Sequence, residues 1–253
     1  MQLKKVFTTA SVLLFINTTL AQEPIETLHN YDSYEMDLPS AENVQKAEEK
    51  ILQDFGFNPE DDLSFLSEED IEASLSRYSH LDPERIVPHK LLQNAVTFFD
   101  KNKESFKNKK YITIVDFSMR SNLQRTFVVN MDSGAVWALR TTHGSGGDLD
   151  HDGFVESLSN VTNSHKSSRG YYRVAEVYHG KYGRSIRLDG LSNTNSKARP
   201  RAIVIHGSDY VVEANKIPGR SWGCFVYAWS VKDKLVDLIN GGSLLYAEKS
   251  LEL

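Results

Sequence analysis

Apolar residues recur at helical spacing through the first hundred positions and then switch to alternation. Ser40 reads as an N-cap, after which Val44, Ala47, Ile51, Leu52 and Phe55 fall on one helical face, closed by Gly56 and Pro59. Ser67-Glu68-Glu69-Asp70 has the form of a capping box and precedes Ile71, Leu75 and Tyr78. Asp82-Pro83 marks a turn, and Pro88 opens a further helix carrying Leu91, Leu92, Ala95, Phe98 and Phe99. Each helix has a narrow apolar stripe, so the segment must pack on something else.

After the lysine-rich stretch 101–110 the period changes. Residues 111–117, 126–130 and 135–139 read as strands, with Asp132-Ser133-Gly134 as a hairpin loop. Further strands are expected at 170–177, 186–188 and 202–205. A helix through Leu235, Val236, Leu238 and Ile239 stops at Gly241-Gly242, and residues 244–247 form a closing strand. The pattern predicts an α+β chain with a helical N-terminal segment at 22–108 and a mainly antiparallel β domain at 109–253.

The first 21 residues stand apart. Lys4 and Lys5, the short apolar run 10–16 and the small residue Ala21 have the order of a secretory signal peptide, too short for a membrane span. Later segments also lack the length and apolarity to span. The expected location is therefore outside the cytoplasm, periplasmic or associated with the cell envelope. Charge is unevenly spread: residues 22–87 hold 18 Asp and Glu against four Lys and Arg, whereas residues 88–253 hold 16 against 23. The acidic segment suggests a solvated helical face or a lid over the basic half. No basic helix or aromatic-studded basic strand points to nucleic acid.

The chemistry concentrates between His206 and Cys224. Cys224 is the one cysteine in the chain, and Ala202-Ile203-Val204-Ile205 runs directly into His206. Glycines beside both residues, Gly207 and Gly223, let a substrate approach the backbone. A lone thiol with a histidine at a strand end supplies a nucleophile and its base. Because an ordinary thiol ionises near about 8.5, a thiolate near neutrality needs stabilising charge or N–H groups, for which an imidazolium and Arg220 are the expected sources.

His206-Gly207 followed by Ser221-Trp222-Gly223-Cys224-Phe225 resembles the signature of YkuD-like murein L,D-transpeptidases. Asp116-Phe117-Ser118, Thr142-His143-Gly144-Ser145-Gly146, Ser159-Asn160, Ser167-Ser168-Arg169-Gly170-Tyr171, Arg187-Leu188-Asp189-Gly190-Leu191 and Gly219-Arg220 extend the likeness over roughly 111–248. The resemblance implies acyl transfer on peptidoglycan stem peptides. Cys224 would attack a tetrapeptide carbonyl and release D-alanine, and an amine would receive the acyl group in a 3–3 cross-link. His206 would be the base, oriented by the Gly207 carbonyl, with N–H groups around Gly223 and Cys224 as the oxyanion hole. Ser221, Trp222 and His143 would shape the loop or meet the substrate. The family's Arg or Asn two positions after the cysteine is Val226 here, and Arg220 is the expected replacement contact. Water as the acceptor would give an L,D-carboxypeptidase instead.

Other readings fit less well. Gly219-Arg220-Ser221-Trp222-Gly223 matches a nucleophile elbow, but no histidine follows His206 in the order that fold requires. His143, His151, His206 and Cys224 lack metal-ligand spacing, so neither metal nor cofactor is expected at the thiol. Asp148, Asp150, Asp152 and Gly153 resemble the start of a calcium loop, whose closing Glu position is Ser159. That stretch is read as an exposed acidic loop, with calcium as the alternative. A wall-binding module without activity is the non-catalytic alternative.

Overall fold

The backbone follows the predicted change of period, but two neighbouring strand pairs run parallel. The computed structural model describes residues 38–59 and 66–251, so the proposed signal peptide lies outside the described residues. Three helices come first: α1 (Ala41–Phe55), α2 (Glu68–Arg77) and α3 (His89–Lys101). Ser40 caps α1 by accepting from the Asn43 N–H, and Gly56 ends it at φ 73. Ser67 and Asp70 form the expected capping box on α2.

Eight strands follow: β1 (Tyr111–Asp116), β2 (Thr126–Asn130), β3 (Val136–Leu139), β4 (Gly170–Gly180), β5 (Gly183–Gly190), β6 (Val204–Gly207), β7 (Phe225–Tyr227) and β8 (Leu244–Glu248). Helix α4 (Trp229–Ile239) lies between the last two. They form one sheet in the order β3-β2-β1-β8-β4-β5-β6-β7. The β1/β8 and β6/β7 pairs are parallel and the other five neighbouring pairs antiparallel. The sheet is therefore mainly antiparallel, as the pattern predicts, but mixed through these two parallel pairs. In each parallel pair a long connection returns the chain, as parallel pairing requires.

Alternation assigns the two faces. Val115, Leu245, Ala247, Ile203, Ile205, Phe225 and Tyr227 point to a core shared with Leu235, Val236 and Ile239 of α4. Ile112, Ile114, Leu244 and Tyr246 point the other way, against Leu91, Ala95, Phe98 and Phe99 of α3 and Ile51 of α1. The helical segment is thus seated over β1 and β8 rather than over the β6–β7 edge. Arg173 on β4 also binds Asp54 of α1 at 2.8 Å and the buried Asp189 at 2.8 Å. An arginine between two carboxylates keeps a buried charge compensated. Among the described residues no helix is long and apolar enough to cross a membrane.

Candidate active site

Strands β6 and β7 place the cysteine and histidine on the same side of the sheet. Ile205 pairs with Phe225 and His206 with Val226. Ile203, Ile205, Phe225 and Tyr227 face the main core, so the alternate residues Val204, His206, Cys224 and Val226 face the other side. Cys224 precedes β7 by one residue, opposite Val204. Strand spacing and rise put its Cα about 8 Å from that of His206.

The imidazole is fixed by its neighbour. His206 Nδ1 donates to the Gly207 carbonyl at 3.0 Å, which leaves Nε2 as the proton-accepting nitrogen. A Cβ at Gly207 would lie 2.4 Å from Cε3 of Trp229, so glycine lets the indole lie directly against the strand end. The Tyr182 ring stacks on the imidazole with centroids 4.2 Å apart. His206 is only 3% exposed. Burial, opposed by the Gly207 hydrogen bond and assisted by the Lys232 charge, lowers its pKa to about 4.

The thiol is held differently from the sequence expectation. Cys224 is 8% exposed and packs with Val204, Val211, Val226 and Ala228. Its Sγ donates to the Ala202 carbonyl at 3.5 Å, and the Val204 N–H is directed at the sulfur. Burial pushes the thiol up to about 11, against the Val204 N–H and the Arg201 charge. The expected thiolate beside an imidazolium is therefore replaced by a neutral pair at neutral pH, because desolvation outweighs the nearby charge. The cation that acts on the sulfur is Arg201, not Arg220. Arg201 donates to the carbonyls of Ser159 at 2.8 Å and Lys166 at 2.6 Å, pinning the segment beside the turn before Cys224. The one hint of this position along the chain is Arg199-Pro200-Arg201, shortly before β6.

The turn before Cys224 is built by small residues. Ser221 Oγ donates to the Cys224 carbonyl at 2.8 Å and accepts from the Gly223 N–H at 3.1 Å. Ser221 therefore spends its hydroxyl on the turn, and the Gly223 N–H is engaged rather than offered to an oxyanion. Gly223 adopts φ 121, and a Cβ would meet the Lys166 oxygen at 2.7 Å and Ile203 Cδ1 at 2.8 Å. Trp222 is half-buried and stacks on His165, centroids 4.5 Å apart.

His143 is drawn away from substrate contact. It is 1% exposed, and both ring nitrogens are occupied. Arg125 Nη2 lies 2.7 Å from Nδ1, and Nε2 lies 2.8 Å from Asp148 Oδ2. Guanidinium only donates, so Nδ1 accepts and Nε2–H donates to the carboxylate. Burial, opposed by the Asp148 hydrogen bond, lowers the His143 pKa to about 4. The main chain does touch the site, since the His143 carbonyl accepts from the Ser221 N–H at 2.9 Å. Arg125, whose alternating strand context disguised a buried charge, was not legible from sequence.

Arg220 is half-buried and leans on the same loop. Its Nη1 donates to the Asp148 carbonyl, and its buried Nε lacks a hydrogen-bond partner. Asp148, Asp150, Asp152 and Glu156 bring their carboxylates within 4.8 Å of one another. Glu156, rather than the Ser159 position, supplies the fourth carboxylate. Burial and the three aspartates raise its pKa, opposed by its own backbone N–H. A cavity of about 450 Å³ lies elsewhere, between α1 and β4, lined by Lys46, Asp54, Arg173 and Glu176 among others.

The strand-end histidine, the Ser-Trp-Gly-Cys turn and the mixed sheet define a recognisable class. Residues 84–247 match the L,D-transpeptidase catalytic domain family YkuD_2, and the chain belongs to that family. The match begins at residue 84 and so takes in α3. No curated protein matches the chain. Among solved structures, an L,D-transpeptidase from Mycobacterium smegmatis is similar at 9% identity and TM-score 0.36, over 55% of this chain and 58% of that one. An L,D-transpeptidase from Xylanimonas cellulosilytica DSM 15894 is similar at 15% identity and TM-score 0.34, over 62% and 68%. The helical cell shape determining protein Pgp2 from Campylobacter jejuni is similar at 11% identity and TM-score 0.38, over 56% and 49%. The chain thus spans little more than half of the M. smegmatis structure.

Proposed function

We propose that this chain is an exported, cysteine-dependent L,D-transpeptidase acting on peptidoglycan stem peptides. The observation that carries the reading is the common sheet face of Cys224 and His206, with Nδ1 engaged by Gly207 and Nε2 left to take a proton. Cys224 Sγ attacks the carbonyl of a tetrapeptide stem as its proton passes to His206 Nε2. The tetrahedral intermediate places its oxyanion toward the Cys224 backbone N–H. When it collapses, the C–N bond breaks and the imidazolium returns the proton to the departing D-alanine amine. An amine from a neighbouring stem then attacks the thioester, loses its proton to Nε2, and frees the thiol in a 3–3 linked product.

Both groups rest in their neutral forms, so the thiolate arises during attack rather than beforehand. For Cys224 to reach Nε2 it must turn away from Ala202. Arg220 is assigned the substrate-carboxylate contact, with Trp222 beside it. We assign residues 1–21 to an export signal, 22–108 to the acidic helical segment and 109–253 to the catalytic domain.

Mass spectrometry of muropeptides tests the activity directly. Incubation of the full chain with wall tetrapeptides is expected to give free D-alanine and a 3–3 dimer, with neither from Cys224→Ser. Tripeptide without dimer means that water is the acceptor and the enzyme is a carboxypeptidase. Wild-type protein that yields neither product, and no covalent adduct with a carbapenem, leaves the wall-binding reading in its place.

A further inference from the structure

The hairpin joining β4 and β5 turns through Lys181 and Tyr182, between the paired Gly180 and Gly183. Its tip reaches the β6 strand end, where the Tyr182 ring stacks on His206 at 4.2 Å and 21°. The hairpin is fastened from behind by α4. Lys232 Nζ donates to the Arg184 carbonyl at 2.9 Å, and the Arg184 guanidinium binds Asp237 at 2.6 Å. The same helix lays Trp229 against Gly207, the residue whose carbonyl holds Nδ1. One helix therefore supports both restraints on the imidazole, one along its edge and one over its face.

We propose that Tyr182 is a positioning residue for His206: its ring, held by the Lys232 and Arg184 contacts to α4, closes one face of the imidazole and preserves the tautomer in which Nε2 accepts the proton. An imidazole held by one hydrogen bond alone can rotate about its Cβ–Cγ bond, whereas a stacked ring removes that freedom. The same ring keeps water from one face and so favours the neutral base. Titratable groups around His206 are Tyr182 from the hairpin, Lys232 from α4 and Cys224 from the adjoining turn on the same sheet face. The inference rests on His206 being the base, but it concerns the imidazole itself.

Long-range 15N NMR of the imidazole in the full chain reads tautomer and titration without turnover. The expected result for Tyr182→Ala is a mixture of tautomers and a proton affinity raised at least about tenfold. Tyr182→Phe keeps the wild-type spectrum, because the face and not the hydroxyl does the holding. Arg184→Ala, which keeps the Tyr182 side chain but loosens the hairpin that holds it by removing the tie to Asp237, shifts the same signals in the same direction by less. Should Tyr182→Ala fail to fold, Arg184→Ala carries the decision alone. An unchanged tautomer and titration in the folded variants overturns the proposal, as does Tyr182→Phe behaving like Tyr182→Ala. An inactive wild type whose imidazole signals respond as expected refutes the transpeptidase reading and leaves the positioning role intact.

Discussion

Cys224 Sγ lies 3.5 Å from the carbonyl oxygen of Ala202, so the thiol is hydrogen-bonded to backbone instead of to the imidazole of His206. Ala202 reaches that position with φ 52, a left-handed conformation unusual for a residue with a Cβ. Alkylation of Cys224 by iodoacetamide is therefore expected to be slow at neutral pH and to keep rising toward a midpoint of about 11. A plateau already complete near pH 7 in the substrate-free chain would show a preformed thiolate.

The turn before Cys224 has no room for a side chain at Gly223. Gly223→Ala combines φ 121 with a backbone oxygen 2.7 Å from the new methyl, and is expected to cost at least about 2 kcal/mol in chemical denaturation. Gly183→Ala supplies the comparison: φ is 65 but the methyl meets open space, so about 1 kcal/mol is expected. Equal losses at the two positions would argue that crowding around Gly223 contributes nothing.

Asp148 joins its loop to the buried histidine, accepting from His143 at 2.8 Å and from the Asp152 and Gly153 N–H groups. Asp148→Ala leaves the His143 Nε2–H without its acceptor, and a loss of roughly 2–4 kcal/mol is expected. Asp148→Asn keeps one acceptor oxygen and is expected to lose less. Thermal melts of the two variants check the order.

Acid should destabilise the fold before the carboxylates titrate. His143 and His206 both have folded pKa values near 4, below the ordinary 6.5, chiefly through burial. Unfolded chain binds more protons than folded chain between those values, so stability present above about pH 6.5 is lost as pH falls through 4. A melting temperature that stays flat from pH 7 to about 4.5, in wild type and in His206→Gln alike, would contradict those assignments.

The helices and the longer strands were legible because local signals agreed: Ser40 and Ser67 do cap, Gly56 does stop α1, and β1, β2 and β8 alternate between two apolar faces. Strand β7 was missed because three residues, Phe225–Tyr227, are too few to show a period. The pairing of β1 with β8 joins residues more than a hundred positions apart, a relation that local patterning does not encode. At the site, Cys224 and His206 stood out by residue type and by glycine neighbours. Their electrostatics did not, since burial depends on Val211, Tyr182 and Ala202 coming from three other stretches of chain. For His143 the same cause applies in reverse: a residue that looks available in sequence is enclosed by Arg125 and Asp148 in the fold.

The back of the sheet sets a practical limit on dissecting this chain. Ile112, Ile114, Leu244 and Tyr246 are dry only because α3 covers them. A fragment begun at residue 109 would keep Cys224, His206 and the turn before the thiol, yet present a bare greasy wall to solvent. Such a fragment is expected to self-associate, and clumping rather than any change around the thiol would then dominate an assay of it.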